Sequence, residues 1–364
     1  MQRYKSGIVR MAALGVVLAL GAAACGSDNK TTTGSGDATT TTAATAKLTG
    51  TLKGSGATFP KGFYEAAIAA FKEKQPGLTI EYPGGGSGTG RQNLQDGVVD
   101  FAGSDGLVKD EDKPKYKGEF LYFPTVAAPI TVSYNLDVKD IVLDANTIAK
   151  IFQRQVTKWD DDAIKALNTG ASLPSTDIVV AHRSDGSGTT ENFTKYLVAA
   201  APDTWTLKSG STVEWPADTQ AGNGNAGVAS IVKDTPGAIG YVDLSDAKAT
   251  GLSFATIVNK AGKPVKATLD GASAALAGAT VNPDLSYNPL NADGDKAYPI
   301  TAPTWILAYK NQPDKAKGEA LKGFLTYILT DAQDLANAVD YAKLPDSLRQ
   351  KALAQVDSLV IPAT

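Results

Sequence analysis

The sequence is poor in the residues that build metal sites and disulfides. Its 364 residues include one cysteine, Cys25, and one histidine, His182. One cysteine allows no intramolecular disulfide, and one residue of each kind cannot build a Cys/His zinc site. A Cys–His nucleophile pair would need Cys25 inside the folded body, which its place near the N-terminus argues against. We therefore expect neither a disulfide scaffold nor a zinc protein, and no cofactor.

A basic excess is also missing. The formal net charge is -3, whereas a nucleic-acid-binding protein usually carries a basic patch or stripe. An anion bound by this chain must therefore be held by local geometry rather than by the overall field. After the N-terminal segment, no apolar stretch is long enough to span a bilayer, so we do not expect the chain to form a transport channel.

The N-terminus has the pattern of an export signal. A positively charged start precedes the apolar residues 11–24, a stretch that is short for a membrane span. It ends in Ala22-Ala23-Ala24-Cys25-Gly26, which resembles a bacterial lipobox, although Ala22 stands where a large aliphatic residue is usual. The sequence thus predicts a signal peptide over residues 1–24 and lipidation of Cys25. A plain secretory signal with an incidental cysteine is the alternative.

The rest of the chain divides into a tether and an α/β body. Residues 26–47 are rich in Thr, Ala, Gly and Ser and have almost no large apolar residue, which predicts a disordered tether. From residue 48 onward, short β-like runs alternate with helical patterns, as in α/β proteins. Residues 78–82 and 178–181 are typical of strands, a helix is expected after Pro60, and late helices are expected over 318–329 and 331–339.

Three segments share a glycine- and hydroxyl-rich turn that leads into a predicted helix. They are GSGATFP at 54–60, GGGSGTG at 84–90 and RSDGSGTT at 183–190. A helix start exposes unpaired backbone N–H groups, glycines let the backbone approach a ligand, and hydroxyls add donors. Such turns can bind anions. None of them is a P-loop, because the Gly-Lys-Ser/Thr ending is missing, and none is a convincing dinucleotide fingerprint.

Two charged residues accompany these turns. Arg183 opens the third turn, and its planar fork can grip two oxygens of a tetrahedral oxyanion. Asp105 follows an apolar run near a predicted strand end. On local sequence alone, Asp105 would be taken for a helix cap or a turn residue.

Longer stretches resemble a known family. The sequence is similar to the phosphate-binding component of the bacterial phosphate-specific ABC importer over nearly all of residues 47–359. The stretches that carry the resemblance are GATFP at 56–60, GGS at 85–87, DFAGSD at 100–105, KWDD at 158–161, RSDGSGT at 183–189, PGAIGY at 236–241 and DYAKLP at 340–345.

The resemblance implies roles for individual residues. Hydroxyl and backbone N–H donors would come from the three turns, Arg183 would make the charged contact, and Asp105 would accept a hydrogen bond from a proton on the ligand. Asp185 would orient Arg183, although a helix-capping role is the alternative. The implied phosphate-binding residues are Thr58, Phe59, Ser87, Asp105, Arg183, Ser187, Gly188 and Thr189.

The resemblance also implies a fold and partners. The fold is a two-lobed periplasmic-binding-protein-like α/β fold of type II, in which each lobe is a mixed β-sheet flanked by helices and two strands form the hinge. The first lobe would comprise 48–127 plus 301–364, and the second 128–300. The implied partners are inorganic phosphate, the permease subunits of an ABC importer with their ATPase, and the membrane through the lipid anchor. The protein would act as a monomer at the outer face of the cytoplasmic membrane.

Three other functions are considered. A receptor for sulfate or molybdate would have no use for Asp105 at the site, because phosphate near neutral pH carries a P–O–H group and sulfate does not. An enzyme acting on phosphate esters would need clustered Asp/His ligands or a nucleophilic histidine, so we expect no enzyme. A purely structural envelope protein would leave the three anion-cradling turns unexplained.

Overall fold

The computed structural model describes residues 47–363. The predicted signal peptide, Cys25 and residues 26–46 of the predicted tether lie outside this range. The strands are β1 (Gly50–Gly56), β2 (Leu78–Glu81), β3 (Phe101–Ser104), β4 (Phe120–Tyr134), β5 (Val142–Leu143), β6 (Val179–Arg183), β7 (Gln220–Gly222), β8 (Ala238–Asp243), β9 (Ser253–Phe254), β10 (Thr256–Val258), β11 (Pro264–Val265) and β12 (Thr301–Tyr309).

The helices connect these strands in an alternating α/β pattern over most of the chain. They are α1 (Lys61–Lys74), α2 (Ser87–Asp96), α3 (Ala145–Phe152), α4 (Asp162–Leu167), α5 (Gly188–Ala200), α6 (Gly224–Asp234), α7 (Leu244–Thr250), α8 (Leu269–Ala277), α9 (Lys315–Leu329), α10 (Gln333–Ala336) and α11 (Asp346–Val356), with short 3-10 turns at Lys113–Lys115 and Asn337–Val339. Within residues 47–363, no helix is long and apolar enough to cross a bilayer.

The main sheet is mixed. Its strands follow the order β2-β1-β3-β12-β4-β8-β6-β7, and β9 adds to β4 outside this path. At one end β1 pairs in parallel with β2 and β3, and at the other β6 pairs in parallel with β7 and β8. Between these parallel groups, β12 and β4 pair antiparallel with each other and with their outer neighbours. The short strands β5, β10 and β11 form a separate sheet.

Strand β4 joins the two groups of parallel strands. Its residues from Phe120 to Pro129 pair with β12, and those from Ile130 to Tyr134 pair with β8. The resemblance implies two hinge strands, and β4 and β12 are the candidates because they pair with each other between the two groups of parallel strands. The change of partner after Pro129 lies beside the predicted boundary at 127/128, and the exact lobe limits stay a prediction. We use "first lobe" for 48–127 plus 301–364 and "second lobe" for 128–300.

Prolines are accommodated in β4 by an irregular register. The pairing with β12 shifts between Thr304, opposite Val126, and Trp305, opposite Pro124, so Thr125 is the extra residue of a β-bulge. Proline lacks the N–H that a regular ladder needs, and it is found in sheets mainly at edges and bulges. The bulged residue is fixed from outside the sheet, because the Gln333 amide donates to the Thr125 carbonyl at 2.8 Å.

The elements follow the hydrophobic pattern with two differences. The predicted helix after Pro60 is α1, whose buried residues are Phe63, Tyr64, Ala67 and Phe71. β2 and β6 agree with the predicted strands to within one residue at their starts. The prediction of one continuous helix over 331–339 is wrong, because α10 spans one turn and a 3-10 turn follows it. Thr330 ends α9 with a non-helical ψ of -102°, and its hydroxyl donates to the Thr326 carbonyl, which competes with helix continuation.

Candidate functional site

Four helix starts meet where the two lobes contact each other. The N-terminus of α5 lies against α2 and β3 so closely that a methyl group on Gly188 would clash with Ser87 Oγ and lie 2.7 Å from Asp105 Oδ2. The Gly88 N–H donates to the Gly186 carbonyl at 2.8 Å across the lobes. At the start of α6, the Asn225 N–H donates to Thr58 Oγ1 at 3.2 Å. The structure thus brings the three predicted turns together, and it adds a fourth.

The first turn connects β1 to α1. Phe59 is fully buried, its ring packs edge-on against Tyr341, and its carbonyl accepts a 2.6 Å hydrogen bond from the Tyr341 hydroxyl. Pro60 caps α1 without a side-chain hydrogen bond. The backbone N–H groups of Thr58 and Phe59 have no acceptor among residues 47–363. This turn therefore presents two backbone donors from a position that Tyr341 fixes.

The second turn places Ser87 beside Asp105. Ser87 is the first residue of α2 and is fully buried, and it follows Gly86, whose φ of 89° favours glycine. Its hydroxyl accepts from the Asp105 N–H at 3.2 Å and donates to Asp105 Oδ2 at 3.3 Å. No acceptor within the described part of the chain pairs with the Ser87 N–H.

Asp105 is a buried carboxyl with few partners. It follows the end of β3 and is 2% exposed. Its Oδ1 accepts from the Thr304 hydroxyl at 2.7 Å, and its main-chain carbonyl accepts from Asn192 Nδ2 of the second lobe at 2.6 Å. Burial raises the pKa of Asp105 to about 7, although the Thr304 hydrogen bond and the charge of Arg183 act in the opposite direction. A helix-cap role, which local sequence alone suggested, is not what the structure shows.

Arg183 ends β6 and is held by Asp185. Its side chain is 1% exposed, and it donates from Nε to Asp185 Oδ1 at 2.7 Å and from Nη2 to Asp185 Oδ2 at 2.5 Å. A third bond runs from Nη1 to Thr189 Oγ1 at 3.4 Å. Burial would raise the pKa of Asp185, but the hydrogen bonds and charge of Arg183 outweigh it and the pKa is lowered. A guanidinium has five N–H donors, so two remain for a ligand.

The third turn offers fewer backbone donors than the resemblance implied. Ser187 caps α5 by accepting from the Thr190 N–H at 3.0 Å, and its own N–H already donates to the Ser211 carbonyl at 2.8 Å. Ser187 can therefore contribute only its hydroxyl proton in this structure. The N–H groups of Gly188 and Thr189, in the first turn of α5, have no acceptor in the 47–363 range.

Arg91 lies at the rim between the lobes. Its Nη1 donates to the Ser104 hydroxyl at 3.0 Å and to the Gly106 carbonyl at 3.1 Å, both in the first lobe. The same nitrogen is 3.5 Å from Glu191 Oε2 of the second lobe, and the two side chains are 16% and 11% exposed. Arg91 thus bridges the lobes, and no contact places it among the donors of the three turns.

The arrangement suits a tetrahedral anion that carries a proton. Backbone N–H groups at helix starts, hydroxyls and a guanidinium donate, and one carboxyl, Asp105, accepts. Among the described residues, no group of three His, Cys, Asp or Glu side chains could hold a metal ion. The geometry therefore favours recognition of an anion through hydrogen bonds.

Comparison with known proteins places the chain in a family. A model described as "PBP superfamily domain" matches residues 41–332. The phosphate-binding protein PstS of Methanocaldococcus jannaschii is 36% identical over 337 residues, which cover 85% of this chain and 86% of that protein. PstS 3 of Mycobacterium tuberculosis is 35% identical over 370 residues, 96% of this chain and 98% of the relative. The chain belongs to the PstS family.

A solved structure shows the same fold. The periplasmic phosphate-binding protein PfluDING, solved with bound phosphate, superposes with a TM-score of 0.71 and 20% identity over 86% of this chain and 100% of its own. The two-lobed α/β fold predicted from the sequence is confirmed by this likeness and by the family. The family that the sequence motifs indicated, that of the phosphate-binding component of the phosphate-specific ABC importer, is confirmed as well.

Sequence reasoning missed two asparagines of this PstS-family site. Asn225 donates to hydroxyls of both lobes, and Asn192 donates to the carbonyls of Asp105 and Gly188. The run Gly222-Asn223-Gly224-Asn225 is a fourth glycine-rich turn before a helix, which could have been found. It escaped notice because it lacks the Ser and Thr residues that marked the other three.

His182 has a packing role in the structure. Its ring stacks on Trp215 at a centroid distance of 5.0 Å, and its Nε2 lies 3.0 Å from the Thr219 hydroxyl. Burial lowers the pKa of His182. The side chain next to Arg183 along the strand thus faces away from the candidate site.

Proposed function

We propose that this PstS-family chain binds inorganic phosphate between its lobes and delivers it to an ABC importer. The observation that carries the proposal is the buried carboxyl of Asp105 among donors from both lobes. The relatives named phosphate-binding proteins, and the phosphate-bound structure with the same fold, support the choice of ligand. The proposed phosphate-binding residues are Thr58, Phe59, Ser87, Asp105, Arg183, Ser187, Gly188 and Thr189, with Asp185 behind Arg183.

Each proposed hydrogen-bond donor to phosphate has a hydrogen that no other group in the described range of the protein uses. The N–H groups of the first and second turns come from the first lobe, and those at the start of α5 come from the second lobe. The hydroxyl protons of Thr58 and Thr189 have no protein acceptor among residues 47–363. Arg183 adds the cationic contact. Buried N–H and O–H donors without partners cost free energy, and a dehydrated phosphate would satisfy them together.

Asp105 supplies the selectivity for phosphate over sulfate. Phosphate near neutral pH retains at least one P–O–H group, which can donate to a carboxylate oxygen. Sulfate has no such proton, so a sulfate oxygen and the Asp105 oxygen would face each other as two acceptors and would repel each other. A buried acceptor that is left unpaired, or that meets a like charge, penalises the wrong ligand more than it rewards the right one.

Contacts from both lobes link binding to closure. A ligand that bonds to each lobe favours the closed arrangement by its extra affinity for that form. The closed form would be the one that an importer recognises. Contacts that already cross between the lobes, from Gly88 to Gly186 and from Asn192 to Asp105, would form in the same step.

We further infer a binding protein rather than an enzyme. The one histidine stacks on Trp215, and the hydrogen-bond partners of Asp105 among residues 47–363 are hydroxyls and an amide, so Asp105 has no partner with which to form an acid–base or nucleophilic pair. The proposal includes export under the signal peptide 1–24 and anchoring through lipid on Cys25, which rest on the sequence pattern alone. The protein would act as a monomer outside the cytoplasmic membrane.

Calorimetric titration of the chain from residue 26 onward, with phosphate and with sulfate, tests the proposal. At pH 8, where Asp105 is ionised because its pKa is about 7, we expect one phosphate per chain and sulfate binding that is weaker by about 100-fold or more, because an unpaired or repelled buried charge costs about 3 kcal/mol. Equal affinities for the two anions, or no phosphate binding, would contradict the proposal. Turnover of a chromogenic phosphate ester that follows the purified protein would favour the enzyme alternative.

A further inference from the structure

Asn225 has an unusual set of contacts next to the proposed ligand site. It is the second residue of α6 in the second lobe and is fully buried. Its backbone N–H and its Nδ2 each lie 3.2 Å from Thr58 Oγ1 in the first lobe. Nδ2 also lies 3.2 Å from Thr189 Oγ1 in its own lobe. One side chain therefore contacts two hydroxyls that we place around phosphate.

These contacts fix the direction in which both hydroxyls donate. A hydroxyl oxygen has two lone pairs and one proton. At Thr58 both lone pairs receive N–H groups of Asn225, and at Thr189 they receive Asn225 Nδ2 and Arg183 Nη1. Neither an amide N–H nor a guanidinium can accept in return. The two hydroxyls can therefore act only as donors toward a further acceptor.

We propose that Asn225 is a positioning residue that sets the polarity of Thr58 and Thr189, so that both hydroxyls point their protons at the bound anion. The inference rests on phosphate as the ligand and deepens that proposal. It assigns to Asn225 a role in affinity without direct contact with the ligand. Because Thr58 and Thr189 belong to different lobes, Asn225 would orient a donor from each lobe at once, and only when the lobes are closed.

The start of α6 has a second link to the site. The Gly224 N–H donates to Asp185 Oδ1 at 3.0 Å, and Asp185 holds Arg183. The first amide of α6, that of Gly224, thus fixes Asp185 and through it the guanidinium of Arg183. The second amide, that of Asn225, fixes the hydroxyl of Thr58. Asn225 Oδ1 is buried without a hydrogen-bond partner in the described residues, so this orientation carries a desolvation cost that the hydrogen bonds from Nδ2 to Thr58 and Thr189 offset. The reverse orientation would let the carboxamide oxygen accept the two hydroxyl protons in place of the anion.

A double-mutant cycle in phosphate calorimetry tests this role. We expect Asn225→Ala to weaken phosphate binding about tenfold or more in the wild-type background, because hydrogen bonds to a charged ligand become misdirected. In a Thr58→Val/Thr189→Val background the same change should alter the dissociation constant by less than about twofold, because no hydroxyl is left to orient. An Asn225→Ala effect of equal size in both backgrounds would overturn the proposal.

Asn192→Ala is the matched control. Asn192 is also a buried asparagine that bridges the lobes, but its Nδ2 donates to the carbonyl oxygens of Asp105 and Gly188, whose polarity cannot reverse. Asn192→Ala should weaken phosphate binding by the same factor in the wild-type and in the Thr58→Val/Thr189→Val background. A loss of its effect in the valine background would show that the cycle reports lobe closure in general, and would remove the support for Asn225.

Asn225→Asp keeps the test usable if the alanine variant does not fold. An ionised aspartate offers only acceptors, so it should draw the hydroxyl protons away from the anion and weaken binding more than alanine does at pH 8. Phosphate binding by Asn225→Asp that is as tight as that of the wild type would count against the role, because an acceptor at this position would then not compete for the two hydroxyl protons. Absence of phosphate binding by the wild-type protein would instead defeat the proposed function itself.

Discussion

Replacing Asp105 by asparagine should make the ligand-free protein more stable at pH 8. Asp105 is buried, and burial raises its pKa from 3.8 to about 7. In the unfolded chain the carboxyl ionises at its ordinary pKa, whereas in the folded chain it stays protonated until about pH 7. Stability is therefore lost as the pH rises from about 4 to 7, and the loss is complete above pH 7. The Asp105→Asn variant would avoid this loss because its carboxamide is neutral at every pH.

The magnitude follows from the pKa. A difference between 3.8 and about 7 corresponds to an unfolding free energy lower by roughly 4 kcal/mol at pH 8, at about 1.4 kcal/mol per pH unit. Asparagine can still accept from the Thr304 hydroxyl and can contact Ser87, so most of the packing should survive. We expect Asp105→Asn to gain up to about 4 kcal/mol at pH 8 and clearly less at pH 5.

Urea unfolding in phosphate-free buffer at the two pH values measures this difference. Asp185→Asn is the control of opposite sign, because Arg183 lowers the pKa of Asp185 despite its burial. That variant should be less stable than wild type at pH 8, and its deficit should shrink as the pH falls. A wild-type protein that is more stable than Asp105→Asn at pH 8 would refute the reasoning. Asp105→Asn should also narrow the difference between the affinities for phosphate and for sulfate.

Two further substitutions probe the site. Arg183→Ala should weaken phosphate binding by about 100-fold or more in calorimetry, because charge-assisted hydrogen bonds contribute about 1.5–3 kcal/mol each and Asp185 would lose its cationic partner. A near-native dissociation constant would place the site elsewhere. Gly188→Ala should also weaken binding, because its methyl group would clash with Ser87 Oγ and lie 2.7 Å from Asp105 Oδ2. Gly278→Ala, where nothing lies within 4 Å, is the matched control and should bind normally; equal affinities for the two alanine variants would contradict the close approach of the lobes.

The sequence predicted the elements of the site that depend on local pattern. Glycine-rich turns before helices can form anion sites, and Arg183 lies within one of the three that the sequence contains. Asp105 was singled out only through the family resemblance, because its importance depends on burial by chain segments such as Thr304, 199 positions away. The alternation of strands and helices indicated an α/β body, and the two-lobed fold was predicted through the family resemblance.

Long-range pairing explains what the sequence did not show. Asn225 contacts Thr58 across 167 positions, and nothing in the local pattern around either residue indicates that contact. The N–H of Ser187 looked available at a helix start, but a loop that returns at Ser211 occupies it. After the break between α9 and α10, a long-range contact holds α10 in place, because the Gln333 amide donates to the carbonyls of Ile328 and Thr125.

A crystal structure of the protein grown with phosphate tests the central claim most directly. The account predicts one tetrahedral ion between the lobes, with an oxygen within hydrogen-bond distance of Asp105 and others facing Arg183 and the starts of α2 and α5. A phosphate seated elsewhere, or one that leaves Asp105 paired only with Thr304 and Ser87, would contradict it.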